Sequence, residues 1–263
     1  MKVLVTVKEV AEVADDFEIE GLDIPERYLE YDLNEWDDYA VEAAVRIAED
    51  RDEDVDVVAV TIGPERSEET VRMALAKGVD RAIRVWDDAL AEADVLDPTT
   101  TARIIAAVAE DEEPALVLSG VQAADTGFGA TGVALADLLD MGWAAVVNDL
   151  ELGDGEASVR RELEGGVEEL TTVDLPAVLT IQTGINEPRY ASLRGIRQAQ
   201  RKELAVHSLS DLDLEPSLVD DALTLSGMAK PESESDATIF EGAAGETTAE
   251  LETVLRDAGV GAE

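Results

Sequence analysis

The chain contains no cysteine and only one histidine, His207. Without thiols there are no disulfides, cysteine zinc sites, iron–sulfur ligation or thiol nucleophiles. One imidazole leaves no zinc site of ordinary type. A Ser/His/Asp triad would have to use His207, beside Ser208 and Ser210, and a surface or strand-end histidine is the simpler reading. Basic residues are scarce as well, 20 against 61 acidic, and five of the 20 are lysine. No apolar run reaches the roughly 18 residues that a spanning helix needs. The N-terminus also lacks the charged start, apolar stretch and small-residue cleavage site of a signal peptide. The expectation is a soluble, unexported, cytoplasmic protein.

What is present in excess is acid, giving a formal charge of -41. Like charges repel over about a Debye length, roughly 10 Å at 0.1 M salt and 3 Å at 1 M, so a compact fold of this composition gains from concentrated salt. The acids are spread along the whole chain and alternate with ordinary apolar periodicity. That pattern describes a solvated surface rather than a disordered acidic tail, and points to a salt-adapted cytoplasm. Direct binding to nucleic acid or to an anionic membrane is disfavoured on the same ground, and direct membrane insertion by the lack of a long apolar run. With 46% hydrophobic content over 263 residues, a sizeable core is available, in one medium domain with extensions or two small ones.

Valine-rich apolar runs at 2–7, 55–61, 82–86 and 115–119 alternate with helical patterns at 36–49, 67–77 and 98–110. Continuous apolar strands joined by crossover helices imply a parallel sheet covered on both faces. Asp97-Pro98 supplies an N-cap and a first-turn proline, and Gly78 stops the helix ending at Lys77. A short helix is expected from about Gly132 to Leu139. Alternating segments at 145–152, 157–163 and 167–173 flank Gly153-Asp154-Gly155 and Gly165-Gly166, the pattern of antiparallel hairpins. A buried strand returns at 175–181. From about Leu209 the hydrophobic density falls, ending in a helical stretch near 247–257, which reads as an extended arm. No repeat of 20 to 50 residues is evident.

In open parallel sheets ligands bind beyond the carboxyl ends of the strands. Three strand-end loops stand out: the turn after Val7, Gly63-Pro64 after Ile62, and residues 120–132. The last contains Gly127-Phe128-Gly129-Ala130-Thr131-Gly132, a formal GxGxxG that opens a helix. It sits in the fourth unit rather than the first strand–helix turn, so it reads as a phosphate-holding loop of another kind rather than a nicotinamide site. Arg189, Arg194, Arg197, Arg201 and Lys202 gather five of the 20 basic residues into fourteen positions. They form either a solvated turn paired with local acids or a docking surface for an anionic ligand or acidic partner. The carboxylates are too numerous to single out an acid/base dyad, and Trp36, Trp86 and Trp143 are by default core or rim aromatics.

The segment Val159-Arg160-Arg161-Glu162-Leu163-Glu164-Gly165-Gly166, followed by Leu175-Pro176-Ala177-Val178 and Asn186-Glu187-Pro188-Arg189-Tyr190-Ala191-Ser192-Leu193, resembles the signature region of electron transfer flavoprotein beta subunits. The resemblance extends back to Val5-Thr6-Val7-Lys8 and covers nearly the first 205 residues. It implies a three-layer α/β fold with a mostly parallel Rossmann-like sheet, of the adenine nucleotide alpha hydrolase-like kind, an antiparallel hairpin region and a C-terminal arm. Residues 1–208 would form the nucleotide-binding domain, and 209–263 the arm packing on an alpha subunit. It also implies a heterodimer with FAD shared with the alpha subunit and a structural AMP buried in this subunit. By position the nucleotide contacts would be Thr6, Asn34-Glu35-Trp36-Asp37, Ile62 and Gly120-Val121-Gln122-Ala123-Ala124-Asp125-Thr126-Gly127-Phe128-Gly129-Ala130-Thr131. Glu162 would pair with an alpha-subunit arginine. Arg189, Tyr190, Leu193, Ile196 and Arg197 would lie in the loop that docks dehydrogenases, with Leu193 as anchor or, alternatively, a core residue.

Three segments depart from the family pattern: Asn34-Glu35-Trp36, Gly129-Ala130-Thr131 and Ile196-Arg197-Gln198-Ala199. They leave the nucleotide open between AMP and a second FAD, as in electron-bifurcating relatives, and they leave the docking partner open. The implied role is an electron carrier with no acid/base residue of its own. It would take electrons from acyl-CoA or related flavin dehydrogenases and pass them to a quinone-linked oxidoreductase. A stand-alone adenine-nucleotide sensor of similar fold is the reading from a different class.

Overall fold

A computed structural model describes residues 1–220, 223–231 and 237–260. The chain divides into two compact units, Met1–Met228 and Ala229–Glu263. The first unit is built on a nine-stranded sheet. In chain order its elements are β1 (Lys2–Thr6), β2 (Glu9–Val13), β3 (Leu29–Leu33), α1 (Glu35–Asp50), β4 (Asp56–Ile62), α2 (Glu68–Lys77), β5 (Arg81–Val85), α3 (Asp88–Glu92) and α4 (Pro98–Glu112). They continue as β6 (Leu116–Gly120), α5 (Thr131–Leu138), β7 (Gly142–Leu152), β8 (Glu156–Leu163), β9 (Val167–Asp174), β10 (Ala177–Ile181), α6 (Leu193–Ala199) and β11 (Leu204–His207). The strand order is β11-β5-β4-β1-β6-β10-β7-β8-β9, parallel from β11 to β7, with β8 and β9 added antiparallel as expected from the glycine-flanked alternation. β2 and β3 pair with each other as a separate antiparallel ribbon.

Both faces of the central strands are apolar, which is why their sequences read as unbroken runs. Val3, Val5, Val57, Ala59, Leu116, Leu118, Leu179 and Ile181 face α1, α2 and α6. Leu4, Val58, Val60, Val117 and Val178 face α3, α4 and α5 on the other side. Each such side chain contributes about 1.5–3 kcal/mol on burial. The expected cap of α4 is in place: Asp97 Oδ1 accepts from Thr99 N at 2.8 Å and Thr100 N at 3.1 Å, with Pro98 opening the helix. Gly78 ends α2 at φ 138°, and a Cβ there would lie 2.6 Å from Val45 of α1.

Leu209 and Leu212, just past β11, are buried in the core shared with α3 and α4. Parts of the expected arm, residues 221–222, 232–236 and 261–263, lie outside the described residues. The second unit carries α7 (Ala244–Asp257), which leaves Leu251, Val254 and Leu255 exposed at helical spacing. Among the described residues no helix is long and apolar enough to cross a membrane.

The start of the sheet is tied to the end of α4 by charge. Glu112 accepts from Arg81 at 2.8 and 2.5 Å and pairs with Lys2 at 2.8 Å. The Arg81 guanidinium holds the Glu112 carboxyl down to about 2, against a smaller opposing effect of burial. A depressed acid adds stability above its unfolded pKa and loses it as pH falls through the folded one. Glu112→Gln is therefore expected to cost about 1–3 kcal/mol at pH 7, with the difference from the parent vanishing towards pH 2, as read by urea unfolding at both pH values.

Candidate functional site: a cleft at the strand ends

The carboxyl ends of β1, β4 and β6 open into a cavity of about 470 Å³. That size lies within the roughly 300–1,000 Å³ typical of small-molecule sites. Its floor is Thr6, Ile62 and Gly120, and its far wall is the loop that leads into α5.

The start of α1 anchors that loop. Asn34 sits at the N-cap position of α1, yet its side chain turns away from the helix. Its Nδ2 donates to Gln122 O at 2.9 Å, and its Oδ1 accepts from Ala124 N at 3.1 Å. One turn on, the Asp37 carboxylate accepts from Lys8 N at 2.8 Å and Gly120 N at 3.1 Å. Asp37 is only 4% exposed, and burial pushes its pKa up to about 7 even though the bonds from the Lys8 and Gly120 N–H groups pull it down. Gly120 permits this close approach, because a Cβ there would lie 2.5 Å from Asp37 Oδ1 and 2.7 Å from Trp36 Cβ.

Lys8 crosses the mouth to Asp125 Oδ1 at 2.6 Å and Thr126 Oγ1 at 3.3 Å. The other cation on the lining, Arg66, is engaged by Glu9 at 2.8 Å and lies 3.9 Å over the Tyr31 ring. Both cations thus already face an acid, Arg66 through its Nε alone. Backbone N–H groups add further donors: those of Phe128, Gly129, Ala130 and Thr131 meet no protein acceptor among the described residues. Gly127 and Gly129 take φ values of 62° and 61°, the left-handed conformation that turns successive N–H groups to one side. They lead directly into the N-terminus of α5, where orphan N–H groups and the helix dipole favour an anion. On the opposite wall the Thr61 hydroxyl is buried and meets no partner among the described residues. The residues present thus fit a small ligand that carries an anionic group such as a phosphate and further hydrogen-bonding groups.

Most of the residues expected at a nucleotide site meet at this cavity. Thr6, Asn34, Asp37, Ile62, Gly120, Val121, Gln122, Ala123, Asp125, Thr126, Phe128, Gly129, Ala130 and Thr131 all line it. Four do not. Glu35 is exposed on the first turn of α1, Trp36 turns aside to donate Nε1 to Gln182 Oε1 at 3.0 Å, Ala124 contributes only its N–H to Asn34, and Gly127 is spent on the turn. Lys8 lies in the turn after Val7 that the sequence had marked, whereas Thr61, Arg66 and Ser67 were missed as lining residues, and nothing in the sequence singles them out. Among the described residues no cluster of acids and histidine could hold a metal.

The expected partner-facing residues fall in two places. Glu162 is exposed on β8, opposite Glu168 of β9. Tyr190 and Leu193 are 98% and 79% exposed on the approach to and start of α6, so Leu193 is not a core residue. Ile196 and Arg197 are exposed along the same helix. The basic cluster divides: Arg189 pairs with Glu42 and Glu49, and the Lys202 amine bonds the Leu75 and Val79 carbonyls. Arg194, Arg197 and Arg201 are exposed and have no ion pair among the described residues.

Residues 21–212 match the model of the electron transfer flavoprotein domain. The chain is 45% identical to the electron transfer flavoprotein subunit beta of Methylophilus methylotrophus, covering 98% of each chain. It is 33% identical to the subunit of that name from Bacillus subtilis, covering 97% of this chain and 98% of the relative. Against the Homo sapiens subunit beta it is 37% identical, covering 82% of this chain and 84% of the relative. A match of this length, through the strand-end loops and the antiparallel extension alike, leaves one conclusion: the chain belongs to the family of electron transfer flavoprotein beta subunits.

Proposed function

We propose that the chain is the small subunit of a heterodimeric electron carrier, paired with an alpha subunit, and that its cavity holds AMP as a structural ligand. The observation that carries the nucleotide assignment is the run of unpaired N–H groups from Phe128 to Thr131 at the head of α5, facing a cavity of about 470 Å³. On this reading those groups bind the phosphate, while Asn34 and Asp37 hold the loop in place around the ligand. FAD, shared with the alpha subunit, supplies one- and two-electron transfer when bound. The beta chain contributes a flank of that site and excludes water from it.

Glu162 would pair with an arginine of the alpha subunit, and the exposed Tyr190–Arg197 stretch would dock the electron donor, with Leu193 as its apolar anchor. Donors would be acyl-CoA or related flavin dehydrogenases, and the acceptor a quinone-linked oxidoreductase. The acidic surface supports a salt-rich cytoplasm as the setting.

The test is the nucleotide content of the complex, co-expressed with its alpha subunit in high salt and released by denaturation. One FAD and one AMP per heterodimer is the expected result. Two FAD would instead indicate an electron-bifurcating complex, and the absence of both nucleotides would overturn the reading.

A further inference from the structure

Arg189 is the most heavily bonded cation near the proposed docking stretch. Its Nε donates to Glu42 Oε2 at 2.7 Å, and its Nη1 and Nη2 donate to the two Glu49 oxygens at 2.7 and 2.8 Å. Its own backbone N–H donates to Glu42 Oε2 at 3.2 Å. Glu42 and Glu49 are two turns apart on α1, so one face of a single helix presents both carboxylates. The Glu42 side chain is only 4% exposed, and its second oxygen takes Arg46 Nε at 2.6 Å. Beside it, Asn186 Nδ2 donates to Tyr39 O at 3.0 Å.

The stretch is held just as firmly at its other end. Arg72 of α2 donates to Ala199 O at 2.7 Å and Lys202 O at 2.9 Å, and the Lys202 amine returns to the carbonyls at the end of α2. Between these two fixings Gly195 rests on α2, where an added Cβ would run into the Ala76 carbonyl, while the side chains of Tyr190 and Leu193 point outward and are largely exposed. Glu42 is buried and Arg189 is about one-third exposed, so this bidentate network fixes the geometry of the chain as well as adding stability. It does so one residue before a fully exposed aromatic side chain.

We propose that Arg189, through Glu42 and Glu49, is a positioning residue for donor docking: it fixes the foot of the Tyr190–Arg197 arch and does not itself touch the partner. The proposal rests on the docking role given to that arch above. An apolar anchor on a loose loop must be ordered at the moment of binding, which costs about 0.5–1.5 kcal/mol per immobilised side chain and more for the backbone. Holding both feet beforehand removes much of that cost. The planar fork of arginine is what the two carboxylates require, and lysine cannot reproduce it.

The test uses the purified heterodimer with an acyl-CoA dehydrogenase and its acyl-CoA, and reads KM for the heterodimer separately from kcat. Glu49→Gln and Arg189→Lys are expected to raise KM about three- to tenfold with kcat within about twofold, as a lost ordering free energy near 1 kcal/mol requires. FAD content, melting temperature and reduction by dithionite should stay at parental values. Leu193→Ala serves as the reference for docking itself. If Leu193→Ala raises KM and the clamp variants do not, the positioning role is overturned while the docking arch stands. If none of the three changes KM, the docking reading falls and the clamp with it. A KM rise accompanied by loss of FAD or a lower melting temperature would reduce Arg189 to a structural residue.

Discussion

Transfer from dilute buffer into about 3 M KCl is expected to raise the melting temperature by about 10–20 °C. The estimate takes relief of about 5 kcal/mol of self-repulsion and about 2–4 °C per kcal/mol for a chain of this size. The folded state concentrates the repulsion at identifiable places. Glu12 faces Glu30 across β2 and β3, while Glu156 faces Asp174 and Glu162 faces Glu168 across β8 and β9. Like charges directly opposite in a ladder are unfavourable, by about 0.2–1 kcal/mol each. With 61 acids and 20 basic residues, most carboxylates have no cation to meet. Thermal scans across a KCl series, repeated in equimolar sucrose, would separate screening from exclusion effects. A flat KCl series, or a sucrose series that rises as steeply, would remove the case for salt adaptation.

Gly120→Val is expected to cost about 2–4 kcal/mol and, on the nucleotide-binding reading proposed above, to empty the cavity of its ligand. The added carbon would meet Asp37 Oδ1 at 2.5 Å, Trp36 Cβ at 2.7 Å and the Asp37 N at 3.0 Å. To make room, the first turn of α1 must back away, breaking the bonds from Lys8 N and Gly120 N to Asp37. Overpacking accounts for about 1–3 kcal/mol of this, and the abandoned N–H groups for the rest. Gly127→Ala is the contrast: its Cβ would meet nothing within 4 Å, and only the φ of 62° is disturbed. That variant should lose about 1–2 kcal/mol through backbone strain alone. Urea midpoints and bound-nucleotide assays on the two would check the ranking. Equal losses would mean that the contact between α1 and the end of β6 does not set the cavity.

The central sheet was legible because both faces of each strand are apolar, which leaves long valine runs, and because Asp97-Pro98 and Gly78 punctuate the helices. The β2–β3 ribbon was not, since Glu9–Val13 and Leu29–Leu33 mix buried and exposed positions and are joined by a long acidic loop instead of a two-residue turn. β11 is a four-residue edge strand, and α6 is seven residues with Gly195 inside, both too short for periodicity to declare. The strand-end loops that gather at the cavity follow from sheet topology, so they could be named in advance. Thr61 and Arg66 could not, because what brings them there is the register of β4 and the turn beyond it. Arg189 illustrates a different limit. Its charge and position suggested a surface contact, and only the arrangement of α1 reveals Glu42 and Glu49 taking up its donors.

The arch between Arg189 and Ala199 spans from the middle of the sheet, at β10, to its outer edge, at β11. Its footings are the Glu42 and Glu49 carboxylates of α1 and the Arg72 guanidinium of α2, whereas its outward side chains hold up nothing beneath them. Replacing Tyr190, Leu193, Arg194 or Arg197 therefore changes the outer surface without taking a residue from the core. Under the docking role proposed for this arch, drift at these few positions would redraw which partner is bound while the sheet and the strand-end cavity stay as they are. On that reading partner choice is an attachment separable from the scaffold that carries it.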